Sequence, residues 1–128
     1  TRFYAPIAKA VINDFREGIH GMVHNTGGGQ TKCLRIGRNI RYIKDNLPEP
    51  DPIFDLIKRE SGVAWKEMYV DFNMGSGFEF FVDPNYVESI ISVIEDFDIG
   101  VNIIGRCERS ANGNELIINS PYGRFQYS

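Results

Sequence analysis

Three consecutive glycines, Gly27-Gly28-Gly29, follow directly on an apolar stretch and restrict this chain more than any other feature. Glycine loses more backbone freedom on folding than other residues, so a run of it suits a place where the backbone must turn sharply or approach something closely. The preceding Ile19–His24 reads as a short strand, and residues 30–35 as a helical turn. Strand, glycine loop and turn in that order aim backbone N–H groups at an anion such as a phosphate. Thr26 adds a hydroxyl donor. Lys32, Arg35 and Arg38 follow with local positive charge in a chain whose net charge is −3. The competing reading is a surface loop with scattered basic residues. The stretch lacks the Gly-Lys-Ser/Thr ending of a P-loop, so a nucleotide hydrolase of that kind does not fit.

The rest of the chain alternates helix and strand signals. Pro6 suits a helix start, and Ile7, Val11, Ile12 and Phe15 recur at helical spacing up to Gly18. Residues 39–44 read as a strand, with Ile40 and Tyr42 set imperfectly against Arg41 and Lys44. Pro48, Pro50 and Pro52 mark a loop. Asp51 then caps a helix with Pro52 at its first position and a buried face of Ile53, Phe54 and Ile57. A second helix over 64–72 carries Trp65, Met68, Tyr69 and Phe72. Phe78–Val82 reads as a strand. Asp83-Pro84 opens an amphipathic helix marked by Tyr86, Val87, Ile90, Ile91 and Ile94. Strands over 101–107 and 115–119 are predicted, separated by a turn at Asn112-Gly113, with a short strand over 123–127. The order predicts an α/β fold, an α+β-type sandwich of a mixed sheet covered by helices.

A second glycine-bearing stretch, Asn73-Met74-Gly75-Ser76-Gly77, follows the 64–72 helix. Asn and Gly there are ordinary helix-ending residues. The glycines entering an apolar strand also permit a ligand or another backbone to come close. His20 and His24 face one side of an extended chain but lie too far apart to share a metal, so no metal site is expected. Cys33, just past the glycine loop, reads as a buried, inert thiol or as one activated by a helix start. Trp65, Tyr69 and Phe72 read as core rather than as a base-stacking platform, and Glu67 and Asp71 as solvated.

Composition narrows the class. A length of 128 residues suits one domain over residues 1–128, and 42% hydrophobic with 24% charged residues is ordinary for a globular protein. A pI near 5.3 gives no reason to expect nucleic acid or an anionic membrane as partner. No apolar run approaches the roughly 20 residues of a membrane span. Two cysteines are too few for a disulfide framework, so a cytoplasmic location is expected.

With these residues in view, the chain resembles the phosphoribosylformylglycinamidine cyclo-ligase (aminoimidazole ribonucleotide synthetase) family, in its C-terminal domain. That family carries His-x-Thr-Gly-Gly-Gly, matched by His24 to Gly29. About 40 residues later it carries Glu-Met-Tyr-x-x-Phe-Asn-x-Gly-x-Gly, matched by Glu67-Met68-Tyr69, Phe72-Asn73, Gly75 and Gly77. Pro52-Ile53-Phe54 and Ile104-Gly105 match further positions, and Thr1-Arg2-x-Tyr4 resembles the segment joining the family's two domains. The stretch from His24 to Cys33 looks most like a bacterial branch, because position 25 is commonly apolar elsewhere.

The resemblance implies an ATP- and Mg²⁺-dependent enzyme of de novo purine synthesis. It phosphorylates the formamide oxygen of formylglycinamidine ribonucleotide and closes the imidazole ring by attack of the amidine nitrogen, with loss of phosphate. It also implies a homodimer and an N-terminal ATP-binding domain that is absent from this sequence, which opens on Thr1 rather than Met. This chain alone is then expected to be inactive. In this reading Thr26, Gly27, Gly28 and Gly29 cradle a substrate or transferred phosphate, His24 is a polar contact or proton donor, and Asn73 and Gly75 shape the opposite rim. Relatives in the same superfamily (selenophosphate synthetase, thiamine-monophosphate kinase, formylglycinamidine ribonucleotide synthetase) and a non-catalytic phosphometabolite-binding module remain alternatives.

Overall fold

The computed structural model describes residues 4–25 and 28–128. The chain forms two compact units, one made of the described residues up to Val23 with Phe78–Asn102, the other of His24–Gly77 with Ile103–Ser128.

In the first unit, α1 (Ala5–Phe15) begins with proline in its first turn and buries Ile7 and Val11. A 3-10 turn, Arg16–Gly18, ends it. Gly18 is required there, because a Cβ at that position would come within 2.5 Å of the Tyr86 ring. Strand β1 (Ile19–His24) pairs with β3 (Phe78–Val82) in a two-stranded sheet. The Asp83 side chain accepts a bond from Asn85 N–H, but the turn it caps, Pro84–Tyr86, is a 3-10 turn. The helix proper, α4 (Val87–Glu95), starts after it and buries Ile90 and Ile94. Those two residues meet Ile7 and Val11 in one apolar cluster, flanked by Phe15, Ile19, Phe80 and Val82.

The second unit holds a four-stranded mixed sheet. Its strands are β2 (Ile40–Lys44), β4 (Gly105–Arg109), β5 (Glu115–Ser120) and β6 (Gly123–Tyr127), in the order β4-β2-β5-β6. Strand β2 runs antiparallel to β4 and parallel to β5, and β5 runs antiparallel to β6. Tyr42, Leu116 and Ile118 are almost wholly buried. Gly105 pairs with Lys44 where a Cβ would strike the Ile43 carbonyl. Helices α2 (Pro52–Ser61) and α3 (Trp65–Asp71) complete the unit. Helix α3 meets the sheet through aromatic side chains: Trp65 stacks on Tyr122 at 3.8 Å between ring centroids, and Tyr69 lies against Phe125. The Tyr127 hydroxyl donates to the Lys66 carbonyl.

Helices with a mixed sheet match the predicted α/β class, and β1, β3 and β6 lie where the sequence puts them. Four details differ. Residues 101–104 are not strand, and β4 occupies Gly105–Arg109 instead. The Asn112-Gly113 turn does not join neighbours, because β2 lies between β4 and β5; the strong turn signal was local, whereas strand order is decided by long-range pairing. The predicted apolar face of α2 is not core: Ile53 is 53% exposed, and Phe54 and Ile57 are only half-buried. Asp51 precedes Pro52 as expected but makes no capping bond through its side chain.

Candidate functional site

The two glycine-bearing stretches, far apart in sequence, are bonded to each other within the second unit. Strand β1 ends at the exposed His24, and the next residue, Asn25, is buried. Asn25 N–H donates to the Gly77 carbonyl at 2.8 Å, and its side-chain Nδ2 donates to the Ser76 carbonyl at 2.9 Å. Five residues on, Gln30 makes a second tie, donating from Nε2 to the Asn73 carbonyl at 2.6 Å. Thr26 and Gly27, both predicted site residues, lie outside the described residues.

Gly28 and Gly29 have different reasons to be glycine. Gly28 has φ +121°, a conformation that other residues rarely adopt, yet a Cβ there would meet nothing closer than 3.8 Å. Its carbonyl accepts from Thr31 N–H and from the Thr31 hydroxyl, the latter at 2.7 Å. Gly29 is buried with φ +50° and faces the end of α3. A Cβ there would lie 2.6 Å from the Tyr69 carbonyl oxygen, 2.8 Å from that of Val70, and against that of Phe72. Gly29 therefore serves close packing on the last carbonyls of a helix, and Gly28 is the glycine with open space beside it. Both open the 3-10 segment Gly29–Arg35, the helical turn expected after the loop.

The second stretch is a strained turn. The Asn73 side-chain oxygen accepts from Gly75 N–H at 2.9 Å. Met74 is buried, yet its φ is +54°, which costs a side-chain-bearing residue about 1–2 kcal/mol. Gly75, with φ +96°, is exposed beside Pro48 and Glu49 of the proline-rich loop.

Basic residues follow the glycine loop in sequence. Lys32 donates to the His24 carbonyl at 2.9 Å. The Arg35 guanidinium lies 3.9 Å from where a Gly28 Cβ would stand, and Arg38 is exposed. Beneath the loop, Lys44 is buried and donates to both oxygens of Gln30, at 3.1 Å and 2.7 Å. Cys33 is fully buried, with its thiol donating to the Gln30 carbonyl, as expected of an inert thiol. Tyr42 donates to the Ile36 carbonyl at 2.6 Å, and burial, with smaller contributions from Cys33 and Cys107, pushes its phenol up to about 12. Burial likewise raises Tyr69, partly offset by a bond with Ser120. Neither phenol exchanges protons near neutral pH.

The sequence reading missed Gln30, Lys44 and Asn114. Asn114 accepts from Ile40 N–H and donates to the Leu34 and Ile36 carbonyls, fixing the chain that links the glycine loop to β2. Lys44 carried a readable signal: it shares strand parity with the apolar Ile40 and Tyr42, so it falls on the buried face.

No protein-family model matches the chain. It is similar to the phosphoribosylformylglycinamidine cyclo-ligase of Methanocaldococcus jannaschii, 37% identical over 119 residues, or 91% of this chain and 34% of that protein. The enzyme of the same name from Methanothermobacter thermautotrophicus is 41% identical over 97 residues, covering 75% of this chain and 28% of that protein. By sequence, this segment belongs to the phosphoribosylformylglycinamidine cyclo-ligase family. The Methanopyrus kandleri cyclo-ligase adds 32% identity over 108 residues, 84% of this chain and 30% of its own. The chain thus spans about a third of the length of the cyclo-ligases it matches. These relatives are archaeal, whereas the stretch from His24 to Cys33 had suggested a bacterial branch.

Proposed function

We propose that this chain is the C-terminal domain of an ATP-dependent cyclo-ligase that converts formylglycinamidine ribonucleotide to aminoimidazole ribonucleotide, and that it supplies one wall of the substrate site. The observation that carries this reading is the pair of bonds, from Asn25 and Gln30, that joins the 24–29 stretch to the 73–77 stretch. Two glycine-bearing loops fixed to one another, with Arg35 beside them, suit an anionic ligand such as a ribonucleotide phosphate.

Each residue takes a modest part. Gly28, with Thr26 and Gly27 before it, presents backbone to the phosphate; Gly29, named with them from sequence, holds the loop on α3. His24, exposed at the end of β1, contacts the ligand or donates a proton. Asn73 holds Gly75 in place at the opposite rim. ATP activates the formamide oxygen as a phosphate leaving group. Following the family resemblance, Mg²⁺ and ATP are assigned to the remainder of the enzyme. Positioning and charge stabilisation are this chain's share of the chemistry.

We also read the enzyme as a cytoplasmic homodimer. Both assignments follow the resemblance to the cyclo-ligases; among the described residues no helix is long and apolar enough to cross a membrane.

The test is the full-length protein carrying this segment, assayed for ADP release that depends on formylglycinamidine ribonucleotide, with the aminoimidazole product trapped by diazo coupling. Product formation is expected. A folded, ATP-binding protein that forms none would overturn the assignment.

A further inference from the structure

We propose that Gln30 is a positioning residue for the substrate site, acting with the buried Lys44 as a lock that holds the glycine loop on the 73–77 loop; this rests on the function proposed above. Gln30 is fully buried. Its amide uses both ends: Nε2 donates to the Asn73 carbonyl at 2.6 Å, and Oε1 accepts from Lys44 Nζ at 2.7 Å. The same ammonium also binds the Gln30 main-chain carbonyl at 3.1 Å, so side chain and backbone of one residue are gripped by one cation.

The chemistry requires an amide. One end must donate to a carbonyl while the other accepts from an ammonium. A carboxylate offers acceptors only, and a thioether of similar length offers almost nothing. The Lys44 charge also sets which way the amide points, with oxygen toward the ammonium and nitrogen toward the carbonyl.

Gln30 sits one residue after Gly29, while its bonding partner Asn73 carries the side chain that holds Gly75. The lock therefore meets both loops that bear the proposed contacts, and Asn25 ties them again on the far side of the glycines.

The experiment compares the full-length protein carrying this segment with its Gln30→Glu and Gln30→Met variants. Amide exchange is read at Asn25 and Gly75, whose N–H groups bond within the joined loops, and along β2 and β5 as a control. Affinity for formylglycinamidine ribonucleotide is measured by calorimetry. Gln30→Glu keeps the acceptor facing Lys44 and loses the donor facing Asn73. It is expected to speed exchange at Asn25 and Gly75 roughly tenfold, the worth of one hydrogen bond, and to weaken affinity by a similar factor while β2 and β5 stay protected. Gln30→Met, which loses both bonds, is expected to speed exchange in β2 as well. Equal acceleration everywhere in Gln30→Glu would mean plain structural support and would overturn the proposal. So would faster loop exchange with unchanged affinity. If the unaltered full-length protein does not bind the ribonucleotide, the substrate reading fails, and the exchange pattern alone decides whether the lock exists.

Discussion

Replacing Gly29 by alanine separates two costs that the structure assigns to it. The first is conformational: at φ +50° a side chain costs about 1–2 kcal/mol. The second is steric. A new Cβ would press on the carbonyl oxygens of Tyr69, Val70 and Phe72, which are backbone atoms near the end of α3 and cannot rotate away. Forcing a methyl group into such a place costs about 1–3 kcal/mol. Gly62→Ala is the control, because its φ is +72° but a Cβ there would meet nothing within 4 Å. The sum predicts a loss of about 2–5 kcal/mol for Gly29→Ala against about 1–2 kcal/mol for Gly62→Ala. Urea titration read by fluorescence of Trp65, the chain's one tryptophan, reports on the second unit in particular. For a chain of this size the melting temperature should fall roughly 3–5 °C per kcal/mol. Equal losses for the two variants would show that the α3 carbonyls do not fix Gly29, and the tight packing described for the loop would be wrong.

Two further outcomes are expected. The Tyr42 phenol lies above its ordinary value of 10.0, so the stability tied to its neutral form is complete below pH 10 and is lost as pH rises from 10 through about 12. The difference in unfolding free energy between the unaltered chain and Tyr42→Phe should shrink by roughly 2–3 kcal/mol across that window, and a constant difference would refute the burial argument. Asn73→Ala removes the bond to Gly75 N–H and should cost about 1 kcal/mol by urea titration. In the full-length enzyme it should raise KM for the ribonucleotide more than it lowers kcat; an unchanged KM would take Asn73 out of the site.

Local chemistry was the legible part of this sequence. Helix α1 and strands β1 and β3 could be placed because proline, glycine and apolar spacing mark their ends. The two site stretches stood out because glycines at such density need a reason. Their attachment to each other was not legible, since it depends on Gln30 reaching the Asn73 carbonyl across a sequence gap that no periodicity records. Lys44 went unnoticed as a core residue because a lysine normally signals solvent, and its bonds to Gln30 help to make its burial tolerable. Isoleucines 103 and 104 looked like strand by propensity, yet Ile103 is 59% exposed and pairs with no strand, while Asn46 holds both main-chain carbonyls instead. In α2 a clear apolar stripe was read as a buried face, although the sequence pattern does not say what covers it.

The mixed sheet also sets a timetable for the chain as it leaves the ribosome. Strand β2 pairs only with β4 and β5, and Lys44 and its partner Gly105 are about 60 residues apart. At roughly 5–20 residues per second, β2 waits about 3–12 s before its first partner is made. Throughout that interval both of its edges, and the apolar side chains of Ile40, Tyr42 and Ile43, are open to neighbouring nascent chains. The first unit waits in the same way, since β1 is partnered by β3, but it is complete once residue 102 is out, while β2 still lacks both of its partners. A ribosome stalled between residues 102 and 115 would therefore display one finished half and one sticky half.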